Sequence, residues 1–79
     1  MTITKTQDHS ALTLFLEGRL DTTTSPQLEA ELSASLGGVT QLTLDMAKLA
    51  YLSSAGLRVI LSAQKRMNKQ GKMVVRHVN

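Results

Sequence analysis

Leu12, Leu14 and Leu16 alternate with Thr13, Phe15 and Glu17, a two-residue period that puts the leucines on one face of an extended segment and the other three on the opposite face. Ile3 to Gln7 is a second short extended run, and Asp8-His9-Ser10 is a polar turn between them. The chain therefore opens on an expected β-hairpin with arms 3–7 and 11–18. The period then lengthens. Leu28, Leu32 and Leu36 recur every four residues with Glu29 and Glu31 on other faces, which predicts a helix. Thr24 or Ser25 can cap it, Pro26 suits a first turn where an N–H would have no partner, and Gly37-Gly38 stops it.

Val39 to Met46 returns to the two-residue period through Leu42, Leu44 and Met46, giving a third strand that ends near Asp45, with a loop through Lys48 after it. Leu57, Ile60, Leu61, Ala63, Gln64 and Met67 then keep helical spacing. A second helix is expected from Ser54 or Ala55 to about Gln70, with Gly71 as its stop, and Lys72 to Val78 reads as a fourth strand. The order β-β-α-β-α-β predicts an α/β layer fold with a mixed sheet, as one domain over 1–79. The opening hairpin is antiparallel, while the two strand-helix-strand units favour parallel crossovers.

Composition narrows the function more than the fold. No apolar run approaches the roughly 20 residues that span a bilayer, and the N-terminus lacks the apolar core of a signal peptide. The chain has no cysteine, which removes disulfides and thiolate metal sites and fits a cytoplasmic protein. Net charge is +3, but all six acids lie in residues 1–45, and from Met46 onward there are seven bases and none. Lys65, Arg66, Lys69 and Lys72 gather where the second helix ends, a position the helix dipole already favours for bases. With Phe15 and Tyr51 as the only aromatics available for stacking on bases, direct nucleic-acid binding is not expected. Neither is metal or cofactor binding, since His9, His77 and the carboxylates show no ligand spacing and Gly37-Gly38 is no phosphate loop.

The candidate chemistry sits in Tyr51-Leu52-Ser53-Ser54-Ala55-Gly56-Leu57-Arg58, where an extended segment gives way to a helix. Serine at a helix N-terminus accepts from a backbone amide, so Ser54 is expected to cap the second helix through Gly56 or Leu57, for about 1 kcal/mol. A serine at a strand-to-helix turn also suggests a hydrolase nucleophile, yet Gly-x-Ser-x-Gly is absent and neither histidine is expected beside Ser54, so no enzyme is expected.

Gly18-Arg19-Leu20-Asp21, Leu44-Asp45 and Tyr51 to Val59, in this order and spacing, resemble the STAS domains of bacterial anti-sigma factor antagonists. The resemblance covers essentially the whole chain. It implies a binding module whose serine two residues before the glycine, here Ser54, is phosphorylated by a partner anti-sigma factor that is itself a serine kinase. Unphosphorylated, the module binds that partner and so releases a sigma factor for transcription. Many relatives carry aspartate where this chain has Ser53 and serine where it has Ala55. The resemblance places the partner surface on Asp21, Thr22 and Thr24 of the Gly-x-Leu-Asp turn and on Ser53, Ser54, Ala55, Gly56 and Arg58. Asp21 and Asp45 are expected at the ends of strands two and three, near the start of the second helix, with Asp45 structural. The alternative within the family is a docking subunit of a lipid-transport or stress-sensing complex. STAS domains usually run past the fourth strand into a further helix, so apolar surface on Val74 and Leu57 is expected to be exposed here. A homodimer, with strands or helices exchanged, would cover it.

Overall fold

A computed structural model of the chain describes residues 1–77 and bears out the order: β1 (Thr2–Asp8), β2 (Ala11–Leu20), α1 (Ser25–Ser35), β3 (Gln41–Leu52), α2 (Ser54–Asn68) and β4 (Lys72–Arg76). The four strands form one sheet in the order β1-β2-β3-β4, antiparallel between β1 and β2 and parallel thereafter. The hairpin closes through His9, which takes a left-handed φ of 56°. Both crossovers step across the sheet in the same direction, so right-handed connections put α1 and α2 on one face. There Leu12, Leu14 and Leu16 of β2 and Leu42 and Leu44 of β3 pack with Leu28 and Leu32 of α1 and Val59, Ile60, Ala63 and Met67 of α2. The period-four leucines are core residues, as the spacing required.

Several boundaries differ from the sequence reading: β2 runs to Leu20 and not to Gly18, β3 begins at Gln41 and not at Val39, and three others matter more. The third strand does not stop near Asp45 but runs on to Leu52, because β2 is ten residues long and keeps pairing with it beyond Asp45, from Glu17 with Lys48 to Leu20 with Leu52. Register shifts between Phe15 and Glu17 and between Gly18 and Arg19 absorb the change of phase, and Leu49 regains the core at 7% exposure. Asp45 therefore stands mid-strand, on the sheet face away from the helices, and does not reach the start of α2. The second helix ends at Asn68, where the amides of Gln70 and Gly71 return to the Met67 carbonyl. The fourth strand is described as Lys72–Arg76, and Val78 lies outside the described residues.

Gly71 ends the helix by proximity. It has no left-handed φ, but a Cβ there would overlap the Thr40 carbonyl, which also accepts the Lys72 amide at 2.8 Å. Val74 and Leu57 are each 45% exposed, as expected, and Phe15, Tyr51, Leu52, Leu61 and Val75 add further apolar surface. Gly71→Ala should destabilise the domain by about 1–3 kcal/mol, because backbone must move to make room. Gly37→Ala, with nothing within 4 Å of its Cβ, should change stability by less than about 0.5 kcal/mol. Urea unfolding of the two variants side by side measures the contrast.

Candidate partner-binding and modification site

Two neighbouring segments meet at the C-terminal ends of β2 and β3. The first is the turn from Asp21 into α1. One Asp21 oxygen, Oδ1, accepts from the Thr23 hydroxyl at 2.8 Å and from the amides of Thr23 and Thr24 at 3.0 and 3.1 Å. The Thr24 hydroxyl accepts the Asp21 amide at 2.9 Å and donates to the Arg19 carbonyl at 2.7 Å. Thr24 occupies the cap position of α1, but its side chain makes no capping bond because it is spent on closing this turn. The Ser25 hydroxyl likewise donates back to the Asp21 carbonyl, at 2.5 Å. Asp21 and Thr24 thus shape the loop, and Thr22 stands exposed at its tip.

The second segment is the start of α2. Here the structure corrects the capping assignment. Ser53 holds the cap position in extended conformation, and its side chain accepts the Gly56 amide at 3.2 Å. Ser54 is the first helical residue, exposed, with no hydrogen bond to its hydroxyl among the described residues. The cap moves by one residue because β3 runs to Leu52, leaving Ser53 as the single residue between strand and helix. Arg58, one turn beyond Ser54, is exposed, while Ala55 is half-buried and Gly56 buried.

Leu20 joins the segments. Its carbonyl accepts the Ser53 amide at 2.9 Å, and a Cβ on Gly56 would lie 2.6 Å from its Cγ. Asp21, Thr22, Thr24, Ser53, Ser54, Ala55 and Arg58 accordingly lie together at one end of the sheet, with Gly56 buried beneath them. The sequence reading missed Arg19 and Tyr51, which pair across β2 and β3. The Arg19 guanidinium lies 4.3 Å from the ring centroid and its Nε 3.6 Å from Asp21 Oδ2. Their positions inside the two motifs were the available signal.

The Thr23 hydroxyl, with the Thr23 and Thr24 amides, holds the Asp21 carboxyl down to about 2 against the opposing effect of partial desolvation. Asp45, outside the site, is also held below the ordinary carboxylate value, first by the Ala47 amide, then by Arg76 at 3.0 Å and the neighbouring His77. Among the described residues no cluster of three or more His, Cys, Asp or Glu could hold a metal ion, and no helix is long and apolar enough to cross a membrane.

Residues 3–79 match a family model described as Mlab, STAS domain. The chain belongs to the STAS domain family. It is 38% identical over 77 residues to the putative anti-sigma factor antagonist BtrV of Bordetella bronchiseptica, a match covering 95% of this chain and 66% of that protein, so it spans about two thirds of that relative. Solved structures share the fold. An anti-sigma factor antagonist from Mycobacterium paratuberculosis superposes with a TM-score of 0.85 at 21% identity, over 94% of this chain and 64% of that one. The anti-sigma factor antagonist SpoIIAA does so in its unphosphorylated form with a TM-score of 0.81 at 19% identity, over 94% of this chain and 71% of that one. Its phosphorylated form, from Bacillus, gives 0.76 at 18% identity, over 92% and 68%.

Two outcomes follow for this STAS domain. Ser53→Ala should cost about 1 kcal/mol through the lost cap, whereas Ser54→Ala should be nearly neutral in thermal or urea unfolding. The folded pKa of Asp21, about 2, lies below the unfolded value of roughly 3.9. Its contribution is therefore complete above about pH 4 and is lost as pH falls through about 2. The stability gap between wild type and Asp21→Asn should narrow across that window, measured by urea midpoints against pH.

Proposed function

We propose that this STAS domain is a cytoplasmic anti-sigma factor antagonist, a binding regulator and not an enzyme, switched by phosphorylation of Ser54. In the unphosphorylated state the surface built from the Asp21 turn and the start of α2 binds an anti-sigma factor serine kinase, which then lets go of its sigma factor. The kinase transfers the γ-phosphoryl group of ATP to the Ser54 oxygen, and the modified surface no longer fits the partner.

The observation that carries this reading is the division of labour between adjacent serines. Ser53 is engaged in holding the helix, and Ser54 presents an unengaged hydroxyl at the surface beside it. A phosphate there adds close to two negative charges at the positive end of the α2 dipole, where an anion is locally favoured. Phosphorylation on this account leaves the fold intact and changes the surface. The relative named as an anti-sigma factor antagonist and the solved antagonists of the same fold support the assignment.

The test is a titration of wild type, Ser54→Asp and Ser54→Ala against the cognate anti-sigma factor. Ser54→Asp should stay folded and lose binding by about tenfold or more. Ser54→Ala should bind like wild type and accept no phosphate from ATP. Unchanged binding of the aspartate variant would sink the switch. A stable complex indifferent to both variants would instead favour a docking subunit of a lipid-transport or stress-sensing assembly.

A further inference from the structure

α2 and its C-cap carry four bases, and three of them are accounted for by where they stand. Lys65 and Arg66 lie in the last turn and Lys69 at the C-cap, where the helix dipole favours positive charge. Arg58 is the exception. It is exposed in the second turn, near the positive end of the helix, where the dipole gives a base no support. The residues three and four positions away are Ser54, Ala55, Leu61 and Ser62, so its own helix offers it no acid. Among the described residues it makes no ion pair either.

Arg19 and Asp21, the charged groups of the neighbouring turn, are already engaged. The Arg19 guanidinium lies 4.3 Å from the Tyr51 ring centroid with its Nε 3.6 Å from Asp21 Oδ2, and Asp21 Oδ1 accepts from Thr23 and Thr24. Arg58 is therefore the free cation beside Ser54 among the described residues.

What Arg58 lacks is an anion, and Ser54 is where one fits. Residues i and i+4 of a helix face each other with Cβ atoms about 5–6 Å apart, and an acid followed four residues later by a base is the favourable order. A phosphate on Ser54 carries close to two negative charges and three acceptor oxygens, and a guanidinium meets such a group through two parallel N–H donors. The Ser54 hydroxyl makes no hydrogen bond among the described residues, so nothing local has to break.

We propose that Arg58 clasps the phosphate of Ser54 within the domain, one turn along α2. This rests on the phosphorylation of Ser54 proposed above and adds how the modified state is held. Phosphorylation then alters the surface twice, adding an anion and withdrawing a guanidinium that the unmodified surface presents. Ser53 keeps the cap in both states, so the start of α2 does not move.

The test encodes phosphoserine at position 54 directly, so it needs no kinase, and follows the phosphorus resonance through the second ionisation at about pH 6. Losing the clasp disfavours the dianion, so Arg58→Gln should raise the midpoint by about 0.3 pH unit, and Arg58→Lys by less. Lys65→Gln, two turns further along α2, should leave it within about 0.1 pH unit. The Arg58 Nε–H resonance should shift as the phosphate ionises, and added salt should shrink the difference between wild type and Arg58→Gln. Both substituted positions are exposed, and circular dichroism confirms that each variant folds. Equal midpoints in wild type and Arg58→Gln would overturn the clasp. So would an equal displacement by Lys65→Gln, which marks a diffuse field in place of a contact. A host kinase that ignores Ser54 would instead overturn the proposed switch and leave this measurement unchanged.

Discussion

The last residue of β2 is the point on which the site depends. Leu20 is fully buried, its carbonyl holds the Ser53 amide at 2.9 Å, and its side chain fills the space that any Cβ at position 56 would need. Only glycine permits that approach. One residue thereby fixes both where α2 begins and where the Asp21 turn departs, since the turn follows it directly in sequence. The two segments are held as one rigid surface without any side chain of the surface having to bridge them. That leaves the exposed groups, Thr22, Ser54 and Arg58 among them, free to meet something else.

Position in the sheet explains why the two turns meet at this end of the molecule. β2 and β3 are parallel, so their C-termini open at the same edge, where the chain must turn and where helix N-termini leave amides without intrahelical partners. Asp21 and Ser53 each answer local amides, with hydrogen bonds that depress the Asp21 pKa and cap α2. A long-range polar tie, Asp45 with Arg76, joins β3 to β4 on the opposite face of the sheet and far from the turn. Charge at the site serves the loop, and charge on the open face serves the sheet.

The elements whose residues repeat regularly were legible in the sequence. Leucines at two-residue spacing in β2 and at four-residue spacing in α1 are buried as their period demands, and the strand-to-helix junction at Ser53-Ser54 falls where the sequence places it. What was not legible depended on partners distant in sequence. Lys48 breaks the alternation of β3, and nothing local shows that Glu17, thirty-one residues earlier in the chain, pairs with it across a bulge. Ending β3 near Asp45 has two consequences that the structure reverses, a strand terminus at Asp45 and a cap of α2 at Ser54. Two adjacent serines are equally able caps by composition, and only the end of the strand decides between them.

That choice between Ser53 and Ser54 is the centre of the account, because it separates the residue that caps α2 from the residue proposed to take the phosphate. The most direct measurement is mass-spectrometric localisation of phosphate after the protein is incubated with ATP and the native host's kinase fraction. Phosphate on Ser54, with Ser53 unmodified, is the predicted result. Phosphate on Ser53, or on neither serine while the partner still binds and releases, would contradict it.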